Sequence, residues 1–340
     1  GSWAAGLLAN PAGVSRRDAA AVTNFTFTRR PSAAMLRGHV AWAVPISMSE
    51  PDHTSGLTPL GWDHAWQQAY DEMSEENPGF LPARISMETK LNYVVWTADQ
   101  ELPAKITGKL LHSTKRDPLN RPKVGDWIGI SLADDGAKAQ IRQLLPRRSL
   151  LTRKVPGRRN EAQVIAANFD TVFIVQALDD NFNLRRLERC LVMVHEGGAQ
   201  PVIILNKSDV CGNLAERLRE AATAAGFAPI VSLSATTGEG VDRLHPWIRA
   251  GQTVAFVGSS GVGKSTLINR LLGEEIQETN TVRERDSKGR HTTVRREMFF
   301  LPHGGVVIDT PGMREFHLWF ADDGLDAAFA DIEAIAQKCR

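Results

Sequence analysis

Gly258-Ser259-Ser260-Gly261-Val262-Gly263-Lys264-Ser265 is the stretch that decides the reading of this chain. It matches G-x-x-x-x-G-K-[ST], follows an apolar run that reads as a strand (Thr253–Val257), and opens a segment of helical spacing that includes Thr266. Glycines allow backbone N–H groups to turn inward around phosphate oxygens, and the helix N-terminus adds positive potential. Lys264 can then reach the β- and γ-phosphates, and the Ser265 hydroxyl can ligate Mg²⁺. The motif predicts a phosphate-binding loop in an α/β sheet, without choosing the base.

The base is chosen upstream, by Asn206-Lys207-Ser208-Asp209 at the end of the apolar run 202–205. Ligands of open α/β sheets bind at the carboxyl ends of strands. An ionised carboxylate only accepts hydrogen bonds. Guanine offers it N1–H and the 2-amino group, whereas adenine presents an unprotonated N1, so Asp209 selects guanine. Lys207 can lay its stem along the base, and Asn206 can tie this loop to the phosphate loop. Ser234-Ala235 follows the next strand and can supply a backbone N–H to guanine O6. Asp309-Thr310-Pro311-Gly312 follows an apolar run, with Asp309 suited to the Mg²⁺ shell and the Gly312 amide to sensing the γ-phosphate. Between these motifs lies Gly289-Arg290-His291-Thr292-Thr293. A threonine here can close over Mg²⁺ and γ-phosphate; Thr293 is preferred, with Thr292 as the alternative. Met313 stands where many small GTPases place a water-orienting Gln, so His291 becomes the candidate group for that task, next to Lys264 as the other catalytic residue. A packing or RNA-contacting His291 is the competing reading.

The motif order is itself informative. Small GTPases usually run phosphate loop, switch threonine, D-x-x-G, N-K-x-D, S-A; here the last two come first. One sheet serves both orders if the chain is cut at a loop and its old ends are joined, because termini usually lie close together. The chain reads as a circularly permuted GTPase that binds GTP and GDP with Mg²⁺.

The rest of the 340 residues reads in segments. Residues 1–80 are expected to be a poorly defined extension, flexible to about residue 60, with a short helix over 62–73. Five short strands are predicted at 83–87, 93–96, 104–110, 126–130 and 139–144, making 81–152 a small β-barrel of OB-fold type, with an SH3-like barrel as the alternative. Strands at 171–175, 201–205, 229–233, 253–257, 297–301 and 306–308 alternate with helices such as 184–195 and 214–225, placing a mainly parallel α/β domain over about 160–320. Residues 321–340 read as the start of a further helical region.

The net charge of +1 says little, but its distribution says more. Arg142, Arg147, Arg148, Arg153, Lys154, Arg158 and Arg159 occur with no acidic residue among them, and a second basic cluster spans residues 283–296. Such patches fit an anionic partner such as RNA, or a solvated face. Cys190, Cys211 and Cys339 lack disulfide-framework spacing and point to a reducing compartment. No apolar run approaches membrane-spanning length, which needs about 18 residues or more. Arg16-Arg17 lies on the wrong flank for a signal peptide. The expectation is a cytoplasmic monomer.

The permuted order behind a barrel, the phosphate loop, Gly289–Thr293, residues 309–316, Pro122-Lys123-Val124-Gly125-Asp126-Trp127, Leu145-Pro146-Arg147-Arg148-Ser149, Ala167-Asn168-Phe169-Asp170 and residues 183–189 together resemble the ribosome small-subunit-dependent GTPases, the RsgA/YjeQ family. The resemblance covers about residues 83–340. It implies an N-terminal OB-fold, a permuted GTPase domain and a C-terminal zinc-binding domain. It also implies a role in late maturation of the small ribosomal subunit, contact with its rRNA, hydrolysis stimulated by the subunit, and a catalytic histidine at His291. Cys339 matches the first zinc ligand of the family, and the Cys, His and Cys that should follow are missing. A lone Cys cannot build a four-ligand site, so the zinc domain is expected to be truncated here, with Zn²⁺ bound only by the full-length domain. Two other readings stand beside this one: a permuted GTPase of the large subunit, which usually lacks a preceding barrel, and a nucleotide-gated RNA-binding factor with negligible turnover.

Overall fold

The structure, a computed structural model, describes residues 54–89, 92–154, 162–273, 296–302 and 304–309. A 3-10 turn, Ser55–Leu60, leads into helix α1, His64–Glu76. Asp63 caps α1: its Oδ1 accepts from the Ala65 and Trp66 amides, each at 3.0 Å. The cap explains why the helix starts two residues later than its apolar spacing suggested, since Trp62 precedes it. Residues 54–60 belong to a stretch expected to be flexible, yet Leu57 is fully buried and Leu60 nearly so. Leu57, Leu60, Trp62, Trp66 and Met73 pack on Trp127 and Leu145. The apolar partners lie far along the chain, so no local pattern in the Ser/Pro/Gly-rich segment announces them.

Five strands follow: β1 (Leu81–Glu88), β2 (Tyr93–Trp96), β3 (Glu101–Ile106), β4 (Trp127–Ala133) and β5 (Lys138–Leu144). They pair in the order β1-β2-β3-β5-β4, and β4 returns to β1, closing a barrel in which only β3 and β5 run parallel. This is OB-fold topology. The third strand was expected to reach residue 110, but it ends at Ile106. Thr107 gives both its amide and its hydroxyl to the Ile141 carbonyl, ending the ladder, and helix α2 runs over Gly108–Arg116. Leu110 packs against the core and Thr114 is buried, a spacing of four that belongs to a helix and was hidden inside what looked like a strand.

A separate two-stranded ribbon, β6 (Leu150–Lys154) and β7 (Ala162–Ala167), leads out of the barrel. The α/β part then unfolds as β8 (Thr171–Ala177), α3 (Leu184–Glu196), β9 (Gln200–Asn206), α4 (Leu214–Ala225), β10 (Ile230–Ser232), β11 (Thr253–Val257), α5 (Lys264–Leu272), β12 (Arg296–Phe300) and β13 (Val306–Asp309). Its strand order is β10-β9-β8-β11-β13-β12, parallel except for β12. The central strands β8 and β11 are buried along their whole length and mostly apolar, because both faces are covered. Val172 and Ile174 share one core with Leu187 and Cys190 of α3, while Phe173 and Phe256 meet Leu267 and Ile268 of α5 on the other face.

Edge strand β12 pairs antiparallel with β1, Met87 facing Glu297 and Glu88 facing Arg296, so one sheet runs through both parts. At that seam Glu88 is buried between Lys123 and Arg296, bonded to the first and with its Oε2 at 3.7 Å from the second. A second tie is Arg84, wholly buried. Its guanidinium donates to the carbonyls of Leu60, Gly125 (3.2 Å) and Asn168 (2.5 Å) and to Thr253 Oγ1 (2.8 Å). Burial lowers its pKa to about 10, which leaves it charged at neutral pH.

Within the basic cluster around residue 147, two arginines are held by partners inside the protein. Arg147 forms a two-pronged bond to the fully buried Asp126, Nε to Oδ1 at 2.7 Å and Nη2 to Oδ2 at 2.6 Å. Arg148 lies 4.2 Å over the Trp66 ring and grips both Asp63 oxygens at 2.5 Å. Arginine serves such planar, two-pronged contacts better than lysine. The side chains of Arg153 and Lys154, and all of Arg158 and Arg159, lie outside the described residues.

Candidate nucleotide site

Four motifs meet at the carboxyl end of the parallel sheet. Strand β11 ends at Val257 and the loop Gly258–Gly263 turns directly into α5 at Lys264. Gly261 and Gly263 have φ of 81° and 95°, the left-handed region in which side chains are strained. A Cβ at Gly263 would also collide with Asn206 Nδ2. Both the turn and the neighbour therefore require glycine. Lys264 Nζ donates to the Gly258 and Ser259 carbonyls at 2.7 and 2.8 Å, which holds the ammonium on the loop itself. Ser265 and Thr266 open the helix and are half-buried.

Asn206 closes β9, beside β8 in the sheet, and its side chain is buried. Its Nδ2 donates to the Val262 carbonyl at 2.7 Å, and its Oδ1 accepts from the Ala235 amide at 2.9 Å. One side-chain amide thus joins three segments separated by tens of residues in sequence. Lys207 follows in the left-handed region, φ 67°, and its Nζ meets Asp179 Oδ2 at 2.7 Å. Burial pushes the Asp179 carboxyl up, but bonds from Lys207 and the Asn181 amide outweigh that and hold it below the usual carboxylate range. Asp209 is exposed, so its carboxylate is open to a ligand. Ser234 is fully buried at the start of the next loop. Ile308 lies opposite Ala255, which sets Asp309, the last residue of β13, at the same sheet end as the phosphate loop.

The structure brings together Gly258, Ser259, Ser260, Gly261, Val262, Gly263, Lys264 and Ser265 with Asn206, Lys207, Asp209, Ser234, Ala235 and Asp309. His291, Thr292, Thr293, Gly312, Met313 and Cys339 lie outside the described residues, as does the helix expected over 325–338. The Ala235 amide, expected to meet guanine O6, is bonded to Asn206 here, so it reaches a base only by being shared or released.

Three residues near the site escaped the sequence reading. Asp179 partners Lys207; its place just past the end of β8 was the available signal. Arg186, in the first turn of α3, donates to Ser259 Oγ at 2.8 Å. Arg270 of α5 donates to two carbonyls of the loop after β10. Arg186 stands in the 183–189 stretch that carries the family resemblance, but nothing there announced a contact with the phosphate loop; Arg270 belongs to no short motif.

Residues 144–319 match the profile of the RsgA GTPase family. The small ribosomal subunit biogenesis GTPase RsgA of Opitutus terrae is 45% identical over 294 residues, 84% of this chain and 79% of its own. RsgA 2 of Lactiplantibacillus plantarum is 46% identical over 269 residues, 79% and 75% of the two chains. Among solved structures, YjeQ from Thermotoga maritima superposes with a TM-score of 0.52 at 24% identity, covering 70% of this chain and 76% of that one. YloQ, described as a circularly permuted GTPase, gives 0.52 at 19%, covering 75% and 79%. Both likenesses bear on the fold alone, and they agree with a barrel followed by a permuted α/β domain. The sequence identities over most of the chain place it further: this protein belongs to the RsgA GTPase family.

Proposed function

We propose that the chain is a GTP-binding switch of late small-ribosomal-subunit maturation, a cytoplasmic monomer that contacts rRNA and hydrolyses GTP to GDP and phosphate when the subunit engages it. The names of its relatives support the setting. The observation that carries the nucleotide reading is Asn206, which ties the phosphate loop to the Ser234-Ala235 loop and so places phosphate-binding and base-reading segments in one body.

The residues present fit a guanine nucleotide with Mg²⁺. Gly261 and Gly263 give the loop the left-handed turns that point backbone amides inward, and the Lys264 ammonium rests on carbonyls from which an anionic phosphate can draw it. Among the described residues no group of three or more His, Cys, Asp or Glu is placed to hold a metal by itself. Mg²⁺ usually keeps several waters and binds through one or two carboxylates plus substrate phosphates, a demand that Asp309 and Ser265 meet together. When bound, Mg²⁺ neutralises charge on the β- and γ-phosphate oxygens. Asp209 accepts from the guanine edge, Lys207 flanks the base, and Lys264 stabilises charge on the phosphates. Thr293, or Thr292, and the Gly312 amide sense the γ-phosphate, and His291 positions water. Residues 81–152 serve as the barrel, 160–320 as the GTPase domain, and 321–340 as the start of the zinc-binding region. Among the described residues no helix is long and apolar enough to cross a membrane.

GTP turnover with and without saturating small subunits tests this reading. The subunit should stimulate hydrolysis, His291→Ala should abolish most of the stimulation while keeping GTP affinity, and Lys264→Ala should damage both. Asp209→Asn should shift preference from GTP to XTP, whose 2-oxo group suits an amide donor. Unstimulated turnover, or a His291→Ala protein that hydrolyses at the full rate on the subunit, defeats the mechanism; an Asp209→Asn protein that keeps its preference for GTP defeats the base assignment.

A further inference from the structure

Arg270 lies nearly two turns into α5, the helix that springs from the phosphate loop. Its Nε donates to the Ala235 carbonyl at 2.7 Å and its Nη2 to the Thr236 carbonyl at 2.5 Å. One planar guanidinium therefore holds two successive peptide units of the loop that follows β10. A trans peptide is rigid, so fixing a carbonyl fixes the next amide in the opposite direction. The Thr236 amide is thereby turned away from Arg270. The Thr237 amide, on the second clamped unit, donates to Ser234 Oγ at 3.1 Å. The loop is closed further by the Gly238 amide on the Ser234 carbonyl at 2.8 Å and the Ser234 amide on the Glu239 carbonyl at 2.9 Å. Gly238 has φ 90°, and a Cβ there would stand 2.6 Å from Arg270 Nη1, so the loop is cut to let the guanidinium in. Ala235 is gripped from both sides: its amide by Asn206, which also holds the phosphate loop through Val262, and its carbonyl by Arg270 of the phosphate-loop helix.

We propose that Arg270 is a positioning residue for base recognition, aiming the Thr236 amide at the 6-oxo group of guanine and coupling its loop to the phosphate-binding helix. The proposal rests on the guanine-nucleotide reading above. Lysine cannot replace Arg270 fully, because an ammonium is a point charge without the planar fork.

The test is titration calorimetry of the whole chain with GDP, with inosine diphosphate, and with 2-aminopurine riboside diphosphate, which lacks the 6-oxo group and with it the N1 proton. Arg270→Ala is expected to weaken GDP by roughly tenfold. The 2-aminopurine nucleotide should change by less than about twofold, because it has no oxygen to accept from this amide. The ratio of GDP to inosine diphosphate affinity, set by the 2-amino group and Asp209, should stay, as should kcat at saturating GTP. Arg270→Lys should recover part of the GDP affinity. Equal weakening of all three nucleotides, or of none, would overturn the proposal and leave Arg270 as a helix-to-loop tie. An unsubstituted chain that bound ADP as well as GDP would overturn the guanine reading itself, and the two failures are told apart by that control.

Discussion

Replacing Asn206 with alanine removes the side chain on which the nucleotide site is assembled, and the cost follows from two bonds. The Val262 carbonyl and the Ala235 amide each lose their partner, at 2.7 and 2.9 Å, and both residues are buried, at 0% and 2% exposure. Leaving a buried polar group unsatisfied costs about 1–3 kcal/mol, so two such groups cost about 2–6 kcal/mol. The void left by the carboxamide is polar and has room for about one water, which can rebond one group, so we expect a loss near 3 kcal/mol. A domain's whole stability is only about 5–15 kcal/mol. The loss should be local first: loop 234–238 should detach from the phosphate loop before the sheet melts. Native-state hydrogen exchange reads this directly, through faster exchange of the Ala235 amide, together with a lower urea midpoint and weaker GDP binding. A loss below about 1 kcal/mol, with Ala235 still protected, would show that Asn206 bridges nothing that matters and would remove the central support of the functional reading.

Three further outcomes are expected. Gly263→Ala meets both a left-handed backbone and the Asn206 side chain, and calorimetry should show GDP affinity reduced by at least about tenfold; wild-type affinity would mean the loop relaxes freely. Arg147→Ala leaves Asp126 buried without its cation and should lower stability by about 3–5 kcal/mol in urea unfolding of the barrel; a small loss accompanied by weakened subunit binding would make Arg147 an RNA contact instead. The Arg148 guanidinium, with the Trp66 and Ala65 amides, holds the Asp63 carboxyl at about 2 rather than 3.8. Because that pKa is depressed in the folded state, its contribution is present above the unfolded value and lost as pH falls from about 4 through about 2. Tryptophan fluorescence over that window should report release of Trp62 and Trp66, and an identical transition in Asp63→Asn would assign it to other groups.

What the sequence determined by itself was local and chemical. The phosphate loop, Asn206-Lys207-Ser208-Asp209, Ser234-Ala235 and Asp309 carry their chemistry in short fixed spacings. Their order along the chain dictates a permuted connectivity. The third barrel strand was expected over 104–110 and runs over Glu101–Ile106, so the sequence announced that strand but not its bounds. The tertiary structure decided what depends on partners distant in sequence. Leu57 and Leu60 look like residues of a flexible leader until Trp127 is packed against them. That Arg147 bonds Asp126 and that Arg148 bonds Asp63 over the Trp66 ring is likewise hidden in a run of basic residues. The closure of β4 on β1, the seam of β1 with β12, and the clamp of Arg270 on Ala235 and Thr236 each join residues from 34 to more than 200 positions apart. Charge and hydropathy along a chain state only what a residue can offer. Whether an arginine offers itself to solvent, to a nucleic acid or to a buried carbonyl is settled by which surface the fold brings within about 3 Å of it.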